Sequence, residues 1–187
     1  MAFFSYSQNY DGFIDIVINN PDRYLPIVQF LDNILGQPSE LSKAEKELIG
    51  AYVSTLNNCE FCYGVHEAMA KSFNVDKNIL LALKTDIETA AIDSKIKAVL
   101  KLTHKVTTEP NRIVQSDIQS IVDSNWSEKT AEDVIAIASA YAFLNRLVDG
   151  FGIKGSSQYF AAISEGFSNY DGYEAFVRST IEKGDVK

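Results

Sequence analysis

Cysteine is scarce in this chain of 187 residues, which holds only Cys59 and Cys62. A polypeptide of that length can bury a sizeable core and needs no local crosslink for stability, so a disulfide framework is excluded. Two cysteines three positions apart point instead to redox or metal chemistry. Histidine is equally scarce, with His66 and His104 alone. No second CxxC or histidine pair is present to complete a structural zinc site, which ordinarily draws its ligands from Cys and His. Positive charge is in deficit: 17 Lys and Arg face 25 Asp and Glu, a net charge of -8 with a pI near 4.8. That balance argues against nonspecific attraction to nucleic acid or to an anionic membrane surface.

Long apolar runs are missing as well, and no uninterrupted stretch is suited to crossing a bilayer. The opening residues lack a basic region followed by a sustained apolar segment, so no secretion signal is expected. The expected setting is the reducing cytoplasm, where a CxxC pair rests as two thiols until turnover oxidises it. Period-two alternation bounded by hairpin turns is absent, as is any fixed-period repeat. No glycine-rich phosphate loop follows a predicted strand, and no cofactor is expected.

What remains is a composition of 46% hydrophobic and 22% charged residues, typical of a folded globular protein. Its apolar residues recur at helical intervals, which predicts an all-α bundle. A short helix is expected over 24–35, stopped by Gly36 and Pro38. Ser42 and Glu45 form a capping-box pattern before Leu48, Ile49, Tyr52, Val53 and Leu56. Asn58 is a candidate N-cap for the helix that begins near Cys59 and ends at a left-handed Asn74. Asp76 would cap a short helix to about residue 83, and a longer one is expected over 90–106. Ser116 with Gln119 repeats the capping-box pattern. The strongest helix spans about 128–149, with Val134, Ile137, Ala138, Tyr141, Leu144 and Val148 on one stripe. The chain reads as one domain over 1–187. Residues 1–20 look like an irregular arm, and 153–187 like a second arm or short helices, with helical periodicity clearest at 173–181.

Cys59 and Cys62 stand at i and i+3, one turn apart on one helical face, which suits cycling between dithiol and disulfide. The amino-terminal end of a helix favours a thiolate through its unpaired amides and dipole. His66 follows Cys62 by four residues on the same stripe, and its imidazole is suited to moving a proton near neutral pH. Glu47 lies on the preceding helix, within reach of that stripe if the two helices form a tight hairpin. A thiolate attacking a peroxide oxygen would give a sulfenic acid that the second cysteine condenses with. The helix end favours Cys59 as first attacker, and the i+4 base favours Cys62. The same four side chains also allow a zinc reading, and an inert buried pair or a noncatalytic oligomeric scaffold is a further alternative. His104 reads as a surface or interhelical residue. The pair at Asn145 and Arg146 is compatible with a simple helix C-terminal charge interaction.

Glu47, twelve residues before Cys59, then Cys59-x-x-Cys62-x-x-x-His66, resembles the active-site signature of the carboxymuconolactone decarboxylase/AhpD superfamily, in its peroxidase-related branch. The segments STLNNCEFC (54–62), AVLKLT (98–103), Trp126-Ser127 and AFLNRLVD (142–149) extend the similarity over roughly 21–152. The resemblance implies an AhpD-like helical bundle that assembles as a homo-oligomer, a trimer or hexamer. It implies Cys59 and Cys62 as the redox pair, His66 as proton-transfer residue and Glu47 as part of the relay, with Cys62 as the peroxide attacker. An external thiol or thioredoxin-like system would reset the disulfide. Relatives of this kind carry a histidine where Phe61 stands, which implies a simpler relay or a role in disulfide reduction. The lactone decarboxylases share the fold but generally lack the cysteine pair.

Overall fold

Ser42 opens the helix around which the molecule is organised. Its hydroxyl accepts from Glu45 N–H at 3.3 Å, while its own N–H donates to the Glu45 carboxylate at 2.6 Å. This is the capping box expected from sequence, and it satisfies donors that a bare helix end would leave open, a contribution of about 1 kcal/mol. The computed structural model describes residues 2–89, 91–167 and 172–182. Within them lie α1 (Phe13–Asn19), α2 (Pro21–Gly36), α3 (Lys43–Leu56), α4 (Glu60–Ser72), α5 (Lys77–Ala82), α6 (Ser94–Thr108), α7 (Gln115–Asp123), α8 (Glu128–Phe151), α9 (Ser157–Phe167) and α10 (Tyr173–Glu182). Among the described residues there is no strand, and the fold is all-α.

Helix α3 sits at the centre, packed against α4, α6 and α8. Ile49, Val53, Val99, Ile121, Val134, Ile137 and Tyr141 fill that junction, each almost fully buried. A large apolar side chain moved from water into such a core contributes roughly 1.5–3 kcal/mol, so the helical stripe of α8 is a main source of stability. By length and composition alone α8 could also cross a membrane. It carries Glu132, Asp133, Arg146 and Asp149, and its apolar stripe is covered by α3 and α6. Ser127 caps its start and Gly152, at φ +73, ends it, so the helix runs through Gly150.

Several boundaries differ from the sequence expectation. Helix α1 forms where an irregular arm was expected, because the Asp15 carboxylate accepts from the Asp11 and Gly12 N–H groups and closes the first turn. Helix α2 starts at Pro21 rather than near residue 24, since Asn20 caps it and proline suits the first helical position. In α7 the back-bonding carboxylate is Asp117, which accepts from Val114 N–H at 2.7 Å, and Ser116 lies inside the helix. Asp93 caps α6 by accepting from Lys95 N–H, placing its start at Ser94; Ala90, where it was expected to begin, lies outside the described residues. Helix α9 lies in the segment read as an arm or short helices, at a place where no helix was singled out.

Candidate active site

The hairpin between α3 and α4 is tight because Asn58 takes a left-handed conformation, φ 56. Asparagine tolerates that region, and the result is a helix-ending turn in which Cys59 N–H donates to Ser54 C=O at 2.9 Å. Asn58 therefore terminates α3 instead of capping α4. Cys59 itself occupies the N-cap position of α4, where its carbonyl accepts from Tyr63 N–H at 3.0 Å and its side chain makes no capping bond. The CxxC thus begins at a helix amino terminus, with Cys62 in the first turn.

One turn further along α4, His66 Nδ1 lies 2.7 Å from Glu47 Oε2, and both side chains are buried. A hydrogen bond of this length to a carboxylate fixes the imidazole plane and leaves Nε2 as its second working nitrogen. The ring fits against α3 because Gly50 has no side chain: a Cβ there would stand 2.9 Å from His66 Nδ1 and 2.9 Å from Tyr141 Cε2. Tyr141 meets the imidazole edge-on, with ring centroids 4.3 Å apart. Glu47, Gly50 and Ser54 share one face of α3 at spacings of three and four, so one stripe carries carboxylate, clearance and hydroxyl.

Both thiols are free and buried, Cys59 at 1% exposure and Cys62 at 5%. They lie in an apolar cluster with Ile16, Phe61, Val148 and Ile153, flanked by Tyr159 and Phe160 from α9. The Cys62 thiol is pushed well above its ordinary value, first by its hydrogen bond to the Cys59 sulfur and then by burial, against a lowering contribution from the Asn145 amide. This is opposite to the acidification that a helix terminus alone leads one to expect for that thiol: the hydrogen bond to Cys59, joined by removal from water, favours the protonated form. Asn145 is itself held rigidly: its carbonyl accepts from Asn57 at 2.8 Å and its amide donates to Ser54 Oγ at 3.1 Å. Among the described residues no three His, Cys, Asp or Glu side chains converge as a metal site, and His66 spends Nδ1 on Glu47 rather than on the sulfurs. His104 is exposed, far from this chemistry in character.

A cavity of about 530 Å³ reaches the site from the side of Glu47, with Lys46, Met69, Phe73, Phe167 and Tyr173 among its walls. Neither sulfur lines it among the described residues. Lys46 points its ammonium to the Leu35 carbonyl at 2.6 Å and so closes the end of α2. Tyr173 arrives from α10, whose first turn is pinned to α2: the Asp32 carboxylate accepts from Tyr173 N–H at 2.6 Å and Glu174 N–H at 2.7 Å.

The carboxymuconolactone decarboxylase family profile matches residues 21–105, a span that contains Glu47, Cys59, Cys62 and His66. The fold agrees. A peroxidase-related protein of Ralstonia eutropha with an alkylhydroperoxidase AhpD core superposes with a TM-score of 0.74 at 19% identity, over 80% of this chain and 78% of that one. The chain is similar to the carboxymuconolactone decarboxylase family over residues 21–105 and shares the AhpD-like fold. The uncharacterized protein YdfG of Bacillus subtilis is 24% identical over 120 residues, 64% of this chain and 82% of its own length. The debrominase Bmp8 shares the AhpD-like fold with a TM-score of 0.66 at 17% identity, over 91% of this chain and 81% of its own. Three residues that complete the site, Tyr141, Asn145 and Tyr173, lie outside the matched span. Tyr141 read from sequence as one more core residue and Asn145 as a helix-end polar group. The available signal was an asparagine, one turn after Tyr141, on a stripe otherwise built of apolar side chains.

Proposed function

We propose that this protein, an AhpD-like family member in fold and site, reduces hydroperoxides by cycling Cys59 and Cys62 between dithiol and disulfide. One observation carries the reading: the two thiols meet at the start of α4, and the next turn of the same helix presents an imidazole oriented by a buried carboxylate. A base, a thiol and a group that orients the base are the ingredients of an activated nucleophile. Cys62 passes its proton to His66 as its sulfur attacks the nearer peroxide oxygen. The O–O bond breaks, the sulfur becomes a sulfenic acid, and the far oxygen leaves as an alcohol or water after receiving the proton. Cys59 then attacks the sulfenic sulfur, forming the Cys59–Cys62 disulfide and releasing water. The sum is two thiols and one hydroperoxide giving one disulfide, one alcohol and one water. An external thiol or thioredoxin-like reductant restores the dithiol, in keeping with a proposed place in the reducing cytoplasm. The exposed Phe3, Phe4, Tyr6 and Phe143 supply apolar surface for the proposed trimer or hexamer.

Reduction of disulfides is favoured as a second reading by Phe61. It fills the position between the cysteines with an aromatic ring packed on Tyr159 and Phe160, and adds no proton donor. Mass spectrometry after one equivalent of an organic hydroperoxide separates the two. The peroxidase reading expects an intramolecular crosslink in the wild type and, in Cys62→Ser, a Cys59 thiol that still takes up an alkylating reagent. A wild-type dithiol unchanged by peroxide but oxidised by glutathione disulfide would establish the reductase reading in its place.

A further inference from the structure

Glu47 is a buried charge with room for more donors than His66 supplies. The residue is 6% exposed, and His66 Nδ1 takes one position on its Oε2 at 2.7 Å. A carboxylate offers about four such positions, and a charge removed from water is costly unless donors surround it. Tyr173 of α10 brings one. It forms the cavity wall together with Glu47 and Met69, and its hydroxyl has two acceptors beside it, the Glu47 carboxylate and, at 3.9 Å, the Met69 sulfur. The carboxylate is the stronger of the two, since a thioether accepts weakly. The Tyr141 hydroxyl is the other neighbour and donates to the Tyr173 oxygen, which leaves the Tyr173 proton for Glu47. Burial, reinforced by the Glu47 charge, holds the Tyr173 phenol well above its ordinary value, so it stays a donor. Tyr141 also meets the His66 imidazole edge-on, and the contacts therefore close a ring through α3, α4, α8 and α10.

Tyr173 reaches this ring because of how α10 starts. Gly172 stands at φ +104, which side chains other than glycine rarely adopt, and a Cβ on it would fall 3.0 Å from both Asp32 carboxylate oxygens. Those oxygens accept from the Tyr173 N–H at 2.6 Å and the Glu174 N–H at 2.7 Å. The cap of α10 is thus a residue of α2, and the helix gains it only by docking there. Val177 shares a buried cluster with Val17 and Val28 and adds an apolar anchor. Phenylalanine at 173 would fill the same wall and leave Glu47 one donor short. We propose that Tyr173 is a positioning residue: its hydroxyl holds the Glu47 carboxylate and through it the His66 imidazole, so that the docking of α10 on Asp32 is a condition for a working base. Its consequence for catalysis rests on the peroxidase reading; the positioning itself does not.

The test is Tyr173→Phe in the full chain, labelled with ¹⁵N at histidine. The Nδ1 and Nε2 resonances of His66 report its tautomer, and exchange of the Nδ1 proton with water reports how firmly Glu47 holds it. The variant is expected to exchange that proton on the order of tenfold faster, as for the loss of one hydrogen bond, and to show both tautomers where the wild type shows one. Asp32→Ala, which releases the first turn of α10, should produce the same change. Tyr63→Phe removes a phenol hydroxyl bonded to Glu67 at 3.1 Å on the helix that carries His66, and should leave the signals at their wild-type values. In an enzyme active toward tert-butyl hydroperoxide, Tyr173→Phe should also lose on the order of tenfold in the rate of thiol oxidation. Wild-type His66 signals in Tyr173→Phe or Asp32→Ala, an equal change in Tyr63→Phe, or a full oxidation rate in Tyr173→Phe alongside altered signals would overturn the assignment. A wild type inert to hydroperoxides overturns the peroxidase reading, and the positioning is then decided by the His66 signals alone.

Discussion

Glycine inside a helix is destabilising, and replacing Gly50 of α3 by alanine would ordinarily add close to 1 kcal/mol of helix propensity. The structure reverses that expectation. The new Cβ would fall 3.0 Å from His66 Cε1 and only 2.9 Å from both His66 Nδ1 and Tyr141 Cε2, the last two being separations that real Cβ atoms essentially never show. Relief needs a shift of about half an ångström in two planar rings. The imidazole is held at Glu47 on one side and against Tyr141 on the other, so neither ring has a free direction. Overpacking of this kind costs about 1–3 kcal/mol, which leaves a net loss of roughly 0–2 kcal/mol after the propensity gain. The same shift strains the bond from His66 to Glu47 and so displaces the imidazole that the proposed cycle uses as its base. With misplacement by 1 Å worth about 10²-fold, half that distance predicts a rate loss on the order of tenfold in peroxide reduction. Urea denaturation and stopped-flow oxidation of Gly50→Ala measure the two effects separately. A variant that is more stable than wild type and reacts at the wild-type rate would refute the placement of the imidazole against α3.

Asn145→Ala removes the amide that pulls the Cys62 thiol down, so its titration should move further upward and alkylation at fixed pH below the midpoint should slow; an unmoved pH profile would separate Asn145 from the thiol. Loss of the bonds to Asn57 and Ser54 should also cost roughly 2–3 kcal/mol in the same variant. Glu40 accepts from the Ser127 N–H and hydroxyl and from the Thr130 hydroxyl, and these bonds hold its carboxyl at about 2, below the ordinary 4.5. A depressed folded value means stability that is present above 4.5 and lost as pH falls through 2, so Glu40→Gln should flatten the acid limb of a stability-versus-pH curve; an identical limb in both proteins would contradict the cap. Phe160 of α9 covers Phe61 and lies where a side chain on Gly64 would be, 2.2 Å from an added Cβ. Phe160→Ala should loosen α9 by about 2 kcal/mol and raise the iodoacetamide rate at the cysteines by roughly 30-fold if local opening controls access; no acceleration would show that α9 does not guard them.

Helix periodicity and capping chemistry made α3, α4, α6 and α8 legible from sequence, because each has a stripe that must be buried and a side chain that closes its first turn. The cysteines, His66 and Glu47 were legible for the same reason: spacing within a helix fixes which residues share a face, and the two asparagines marked the hairpin. What spacing could not supply was the neighbour across the bundle. Nothing local distinguishes Tyr141 from Ile137 or Val148 as a core residue, and its meeting with His66 depends on how α8 crosses α4. Asn58 was visible as a turn residue, but its side of the turn is decided by a backbone conformation, since a left-handed residue closes the preceding helix while an extended one opens the next. Helix α9 escaped because its Tyr, Phe, Gly and Ser content gives a weak period, and its placement comes from Phe160 seating over Gly64 and Gly155.

The site is approached from two sides that differ in chemistry. The cavity at Glu47 and Tyr173 meets the carboxylate end of the His66–Glu47 pair, whereas the sulfurs face α9 through an apolar layer. Proton exchange with solvent therefore has a short path through Glu47 that need not expose a thiol. In the proposed cycle a reductant must touch sulfur to form a mixed disulfide, and Tyr159 and Phe160 of α9 pack over the cluster that holds both sulfurs. The C-terminal helices thus stand on both approaches: α10 lines the cavity with Tyr173, and α9 covers Phe61 beside the sulfurs with Phe160.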